Sequence, residues 1–223
     1  MFLGITGVLN SDQLIEIRNL LKKAEYVDGK TTAGYRASRV KSNLQLNRNS
    51  AESNQLKGIV VNALTANQAF HDVTFPKAIN NPIFSRYLPG MEYGFHVDNA
   101  VMNKPHALRT DISMTLFLND PSEYEGGELR VQTQFGEQQA KLNAGDAVVY
   151  TSDFLHRVAP ITSGERLCAV SWIQSFIREP EKRQILIDIA RLQKTMHKHA
   201  PDDKGTDLSY KIYQNLYRMW ADV

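Results

Sequence analysis

A chain of 223 residues, 42% apolar and 22% charged, is long enough for one sizeable core with room for a small appendage. Its formal charge of +2 gives no electrostatic case for nucleic acid or an anionic membrane as partner. The single cysteine, Cys168, forbids an intrachain disulfide and suits a reducing compartment.

Asn10 followed by Gln13 predicts a capping box, opening a helix with the stripe Leu14, Ile17, Leu21 and Ala24. Gly29 to Gly34 reads as a loop and Val40 to Leu46 as an edge strand. The basic segment Arg36 to Lys41, with Arg48, reads as a solvated face sooner than as a substrate-steering patch. A second helix is expected from Ser53 to Phe70, with Leu56, Ile59, Val60, Ala63 and Leu64 turned inward.

From Pro82 to Ser175 the pattern changes to short β-rich runs punctuated by Pro-Gly, Gly-Gly and Gly-Asp. Ile112, Met114, Leu116 and Leu118 alternate with Ser113, Thr115 and Phe117, which gives that strand two unlike faces. Glu125-Gly126-Gly127-Glu128-Leu129 looks like a hairpin. Cys168 lies in an apolar strand and reads as a packed thiol rather than a nucleophile. With no strand–helix alternation, the expected architecture is a mixed, mainly β fold: a double-stranded β-helix, or jelly roll, carrying N-terminal helices and a C-terminal helical segment.

After Pro180 the period is helical again. Ile185, Ile189, Leu192 and Met196 mark one stripe. Leu208, Ile212 and Leu216 mark another beyond the polar connection Ala200 to Asp207. These helices, with Tyr210, Tyr213, Tyr217 and Trp220, are expected to pack on the barrel; a homo-oligomer interface is the alternative. His197-Lys198-His199 reads as a solvated helix end favoured by the dipole, not as a second metal site. Met1 to Ile5 lacks the features of a secretory signal, and no run approaches the roughly 18 apolar residues that cross a bilayer, so the cytoplasm is the expected compartment.

Four residues carry chemistry: His96, Asp98, His156 and Arg166. Two imidazoles and a carboxylate, the first pair at His-x-Asp spacing, are the ingredients of a facial iron site with open positions opposite. A strand sends residues i and i+2 to one face, so His96 and Asp98 can aim at one point and His156 must come from another strand. Arg166 is a cation able to hold a carboxylate by two parallel hydrogen bonds. Taken singly, each has an ordinary reading as a surface polar group or a solvated strand-end charge. It is their order that matters: Tyr87-Leu88-Pro89-Gly90, then His96-x-Asp98, Ile112 to Asn119, Gly126-Gly127, Ala144 to Tyr150, His156, Arg166 and Val170-Ser171-Trp172.

That order resembles the Fe(II)/2-oxoglutarate-dependent dioxygenases of the prolyl 4-hydroxylase-like branch, and more closely the bacterial PKHD-type hydroxylases, a family associated with iron uptake. The resemblance implies His96, Asp98 and His156 as Fe(II) ligands and Arg166 as the partner of the far carboxylate of 2-oxoglutarate. It also implies decarboxylation of that cosubstrate to succinate, with O2 consumed, an unactivated C–H bond hydroxylated, and ascorbate as a reductant. Tyr87 stands where related hydroxylases place a tyrosine against the cosubstrate; a buried, hydrogen-bonded phenol is an equal reading. Phe117 stands near the place of a further tyrosine and cannot donate, which leaves a second contact to the far carboxylate open. Trp172 reads as a core or barrel-lining residue. The implied units are residues 1–81 (N-terminal helices and flanking strands of the catalytic unit), 82–177 (the jelly-roll core) and 178–223 (the C-terminal helices). Two rivals share parts of the pattern: a non-catalytic module sensing iron or 2-oxoglutarate, and a cupin-type metalloenzyme, which would have no use for Arg166. The prime substrate is open among peptidyl proline, another side chain and a small metabolite.

Overall fold

The computed structural model describes residues 1–102 and 107–223. The N-terminal elements are β1 (Phe2–Ile5), α1 (Ser11–Lys23), β2 (Tyr26–Asp28), α2 (Tyr35–Ser38), β3 (Lys41–Ser42), β4 (Leu44–Leu46), α3 (Ala51–Ala66) and α4 (Gln68–Thr74). Next come β5 (Pro76–Ile79), β6 (Ile83–Tyr87), β7 (Glu92–His96), β8 (Val101–Met102), β9 (Leu108–Arg109), β10 (Ile112–Phe117) and β11 (Tyr124–Gly126). Then follow β12 (Leu129–Thr133), β13 (Gly136–Ala140), β14 (Ala147–Thr151), β15 (His156–Val158), β16 (Ile161–Gly164) and β17 (Arg166–Ser175). The chain closes with α5 (Pro180–His199) and α6 (Lys204–Trp220).

The result is a mixed α/β fold built on antiparallel pairing. A larger sheet runs β1-β14-β10-β17-β6-β4-β2, with β5 also paired to β17, and a smaller one runs β13-β12-β15-β7-β3. Alternation along β10 decides what each face of the larger sheet does. Ile112, Met114 and Leu116 join Ile17 and Leu21 of α1 and Leu56, Val60 and Leu64 of α3 in the main core. Ser113 and Thr115, on the opposite face, line a cavity together with residues of the smaller sheet. One strand thus supplies core on one side and site on the other.

Local chemistry sets the element ends. The Asn10 side chain accepts from the Gln13 N–H and the Gln13 side chain from the Asn10 N–H, completing the expected box. The single helix expected from Ser53 to Phe70 is two helices. Asn67 leaves helical geometry (ψ 107°) and its side chain accepts from the Phe70 N–H, so it ends α3 and caps α4. The edge strand expected from Val40 to Leu46 divides as well. β3 is the edge of the smaller sheet, whereas β4 lies inside the larger one between β6 and β2. Asn43 is where the chain passes from sheet to sheet. Nor is Gly126-Gly127 a hairpin: β11 pairs with β16 and β12 with β13 and β15. Both glycines have positive φ (74° and 69°), the backbone setting that lets the chain switch partners here.

The C-terminal helices dock, though not by the expected stripe. Ile185 and Leu192 are exposed, while Arg183, Leu186, Ile187 and Gln193 are buried. Carbonyls take part of their bonding: Arg183 Nη1 donates to Ile177 and Arg178 and the Gln193 amide to Ser209 of α6, while Arg183 Nε and Nη2 have no partner among the described residues. Leu186 and Ile187 meet Phe75 and Ile177, with Tyr213, Leu216, Tyr217 and Trp220 of α6 packed around them. Leu208 and Ile212 face solvent. Leu186→Ala should therefore cost about 2–5 kcal/mol, the range for truncating a buried leucine. A urea titration reads this as a lowered midpoint; an unchanged midpoint would mean that α5 contributes nothing to the core.

Candidate active site

His96 and His156 face each other across neighbouring strands, β7 and β15. The register between these strands slips, pairing His156 with His96 and Val158 with Tyr93, so β7 spends three residues where β15 spends two. This bulge puts Tyr93 beside its own i+3 neighbour: the Tyr93 and His96 rings stack with centroids 3.6 Å apart. Asp98 lies past the end of β7 and not on it, so strand alternation does not aim it as the spacing suggested. It still reaches the same point. One ligand atom from each of His96, Asp98 and His156 lies within 4.8 Å of the others, and His156 Nε2 is 3.7 Å from Asp98 Oδ2.

Hydrogen bonds behind the triad orient it. His96 Nδ1 donates to the Gly94 carbonyl at 2.8 Å and His156 Nδ1 to the Phe154 carbonyl at 2.9 Å. A carbonyl can only accept, so both Nδ1 atoms carry the proton and both Nε2 lone pairs are free for a metal. Burial, and after it the neighbouring His156, push His96 down to about 4, which keeps its imidazole neutral at physiological pH. Ser113 donates to Asp98 Oδ2, and Ser152 stands 2.8 Å from Ser113 as the next link. Ser113→Ala should lower metal affinity by about 10–100-fold, the usual cost of losing such an outer partner. Metal titration of the two proteins checks this, and equal affinities would make the serine irrelevant to the site.

Arg166, the first residue of β17, is 1% exposed. Its guanidinium carbon lies 5.2 Å from the Tyr87 ring centre and 5.5 Å from that of Phe117. Nη1 donates to Cys168 Sγ at 2.9 Å, and Nε is buried without a partner among the described residues. The Tyr124 hydroxyl, in the same cluster, is likewise buried and unpartnered among them. Gly127 leaves room for the arginine: a Cβ there would stand 2.9 Å from Arg166 Cδ. Tyr87 is the register partner of Arg166, and burial raises its phenol well above the ordinary value. A buried cation with an idle donor fits an anionic group better than an apolar one.

One cavity of about 800 Å³, counting its open mouth, joins these parts. His96, Asp98, His156, Tyr87, Arg166 and Trp172 all line it. The sequence-predicted ligands, cation and tyrosine are therefore brought together. Residues not anticipated from the sequence also line the cavity: Ser113, Tyr93 and above all Lys41 and Asn43, with Ser152 behind Ser113. Lys41, read from the sequence as part of a solvated face, is only 6% exposed and lines the cavity. Its Nζ lies 4.9 Å from the Tyr93 ring centre, and burial, followed by repulsion from Arg48, pulls its pKa down to about 8. Alternation of polar residues at 41, 43 and 45 was the available signal, but it looks the same on a strand facing water.

Two imidazoles and a carboxylate beside a buried arginine, in one cavity between antiparallel sheets, define an oxygenase of the iron and 2-oxoglutarate class. Residues 82–174 match the model of the 2OG-Fe(II) oxygenase superfamily. Over 224 aligned residues, covering 100% of both chains, the sequence is 43% identical to a PKHD-type hydroxylase of Synechococcus sp. (strain JA-2-3B'a(2-13)). The chain belongs to the PKHD-type hydroxylase family. Among solved structures its fold is similar to a Pseudomonas putida prolyl-4-hydroxylase, with TM-score 0.53 and 22% identity over 78% of this chain and 92% of that one. It is also similar to HygX of Streptomyces hygroscopicus, solved with nickel and 2-oxoglutarate, with TM-score 0.54 and 15% identity over 80% and 84% of the two chains. Among the described residues no helix is long and apolar enough to cross a membrane.

Proposed function

We propose that His96, Asp98 and His156 hold the Fe(II) and that Arg166 anchors the far carboxylate of 2-oxoglutarate. The observation that carries this is the placement of both in one cavity, with three ligand atoms within 4.8 Å of one another and a buried guanidinium whose Nε is idle. When bound, iron and 2-oxoglutarate supply the oxidising chemistry: one atom of O2 enters a substrate C–H bond and the other enters succinate as carbon dioxide leaves. The chain's own residues do the rest. The Gly94 and Phe154 carbonyls hold the imidazoles in the ligating tautomer, and the Ser152–Ser113 chain holds Asp98.

Arg166 would set the direction of the cosubstrate, with Tyr87 beside it in the lining of the same cavity. Tyr124, whose hydroxyl is buried without a partner among the described residues in the cluster that holds Tyr87 and Cys168, is our candidate for the second contact that Phe117 cannot make. We read the two sheets as the halves of a double-stranded β-helix, with residues 82–177 as catalytic core, 1–81 completing its wall and 178–223 docked on it. Ascorbate is assigned as external reductant and the cytoplasm as compartment, which the single buried thiol suits. The substrate carries an unactivated C–H bond on a peptidyl proline, another side chain or a small metabolite.

The test is stoichiometric. Protein with Fe(II), O2 and 2-oxoglutarate should form succinate, faster when the prime substrate is present. No succinate above a metal-free control would contradict the reading.

A further inference from the structure

Lys41 is a buried charge that this mechanism does not use. Its one hydrogen bond among the described residues goes to Thr32 Oγ1 at 3.1 Å; an ammonium can make three. Thr32 in turn donates to Gln45 Oε1 at 2.6 Å. Lys41, Asn43 and Gln45, at 6%, 3% and 2% exposure, stand at alternate positions on the segment that crosses between the sheets, and all three line the active-site cavity. Neither atom of the Asn43 amide has a partner among the described residues. A row of polar groups taken out of water with donors to spare is costly unless something completes it.

Charge balance says what completes it. With metal and cosubstrate bound, the two carboxylates of 2-oxoglutarate offset the Arg166 guanidinium and one charge of the ferrous ion, and Asp98 offsets the other. Lys41 is left as one buried positive charge with no counterion inside the cavity. Its place at the edge of the smaller sheet, beside Tyr93 and so one ring away from His96, puts it on the wall of the cavity that the triad also lines. We propose that the prime substrate is a carboxylate-bearing molecule, and that Lys41, assisted by the Asn43 amide, binds its carboxylate and so selects it. The proposal rests on the reading of Arg166 as cosubstrate anchor, because that assignment frees Lys41 for the substrate.

The test uses Zn(II)-loaded protein saturated with 2-oxoglutarate, so that the metal and Arg166 are already engaged. Butanoate and pentanoate, each against its primary amide, are titrated by saturation-transfer NMR. The parent should prefer each acid over its amide by on the order of tenfold or more, as for a hydrogen bond to a charged group. Lys41→Met keeps the stem over Tyr93 and should abolish the preference; Lys41→Arg should keep most of it. Three results would overturn the proposal alone. The first is equal or undetectable binding of acid and amide by the parent, and the second is a preference that survives in Lys41→Met. The third is a Lys41→Met protein that no longer takes up 2-oxoglutarate, which would put the lysine on the cosubstrate. A parent that takes up no 2-oxoglutarate at all would instead sink the cosubstrate reading, and this proposal with it.

Discussion

Asp98→Ala and His156→Ala should each abolish Fe(II) binding and all turnover while leaving the fold intact. Each removes one of the three proposed ligands, so the loss of metal affinity should exceed the roughly 10–100-fold expected from an outer hydrogen bond such as that of Ser113. Folding should survive because the triad sits at the wall of a core it does not build. The main core is apolar side chains from α1, α3 and the outward face of the larger sheet, and His96, Asp98 and His156 are absent from it. Metal-dependent folding belongs to small domains that lack such a core. Thermal unfolding and metal titration on the same samples separate the two effects. Iron-dependent turnover in either variant would refute the ligand assignment, and global unfolding would give these residues a structural role that their position argues against.

Arg166→Ala should leave iron binding in place and weaken 2-oxoglutarate by about thirty- to several-thousand-fold. Removing one partner of a buried, hydrogen-bonded charge pair costs about 2–5 kcal/mol, at about 1.4 kcal/mol per factor of ten. At 1% exposure the guanidinium has almost no competing water, which places this pair in the buried regime and not among weak surface ion pairs. Arg166→Lys should recover part of the loss: the charge stays, but the planar two-point grip is gone. If Arg166→Ala binds 2-oxoglutarate as tightly as the parent, the arginine is structural and Lys41 becomes the candidate anchor.

What was legible in the sequence follows from the range of the physics involved. His96, Asp98, His156 and Arg166 could be singled out as candidates, and the structure brings them into one cavity, because metal and carboxylate chemistry restrict residue type and because the order of their flanking segments is distinctive. The two faces of β10 could be read because alternation is local. The N-terminal cap could be read because Asn10 and Gln13 are three residues apart. Features set by distant partners were not legible. Asn67 resembles any polar residue within a long helical pattern until its side chain is seen to cap α4. Gly126 and Gly127 look like a hairpin because nothing local says that β11 pairs with β16.

The C-terminal helices show the limit of the apolar stripe as a guide. On α5 the buried face contains Arg183 and Gln193, each held by at least one carbonyl, while Ile185 and Leu192 face outward. Hydrophobic periodicity assumes that polar residues stay in water, and it fails where neighbouring carbonyls take the place of water. Lys41 is the same lesson at the site. Its burial depends on the chain crossing between sheets at Asn43, a decision made by pairing with Tyr93 on one side and with β6 on the other.

One cavity should hold Fe(II) on the triad and chelate it with 2-oxoglutarate anchored at Arg166. Anaerobic absorption titration tests it most directly. Fe(II) and 2-oxoglutarate together should give the visible metal-to-ligand band of an iron–oxoacid chelate, saturating at one equivalent of each and absent with either alone or in Asp98→Ala. A parent that shows no such band, or an Asp98→Ala protein that shows it undiminished, would contradict the account.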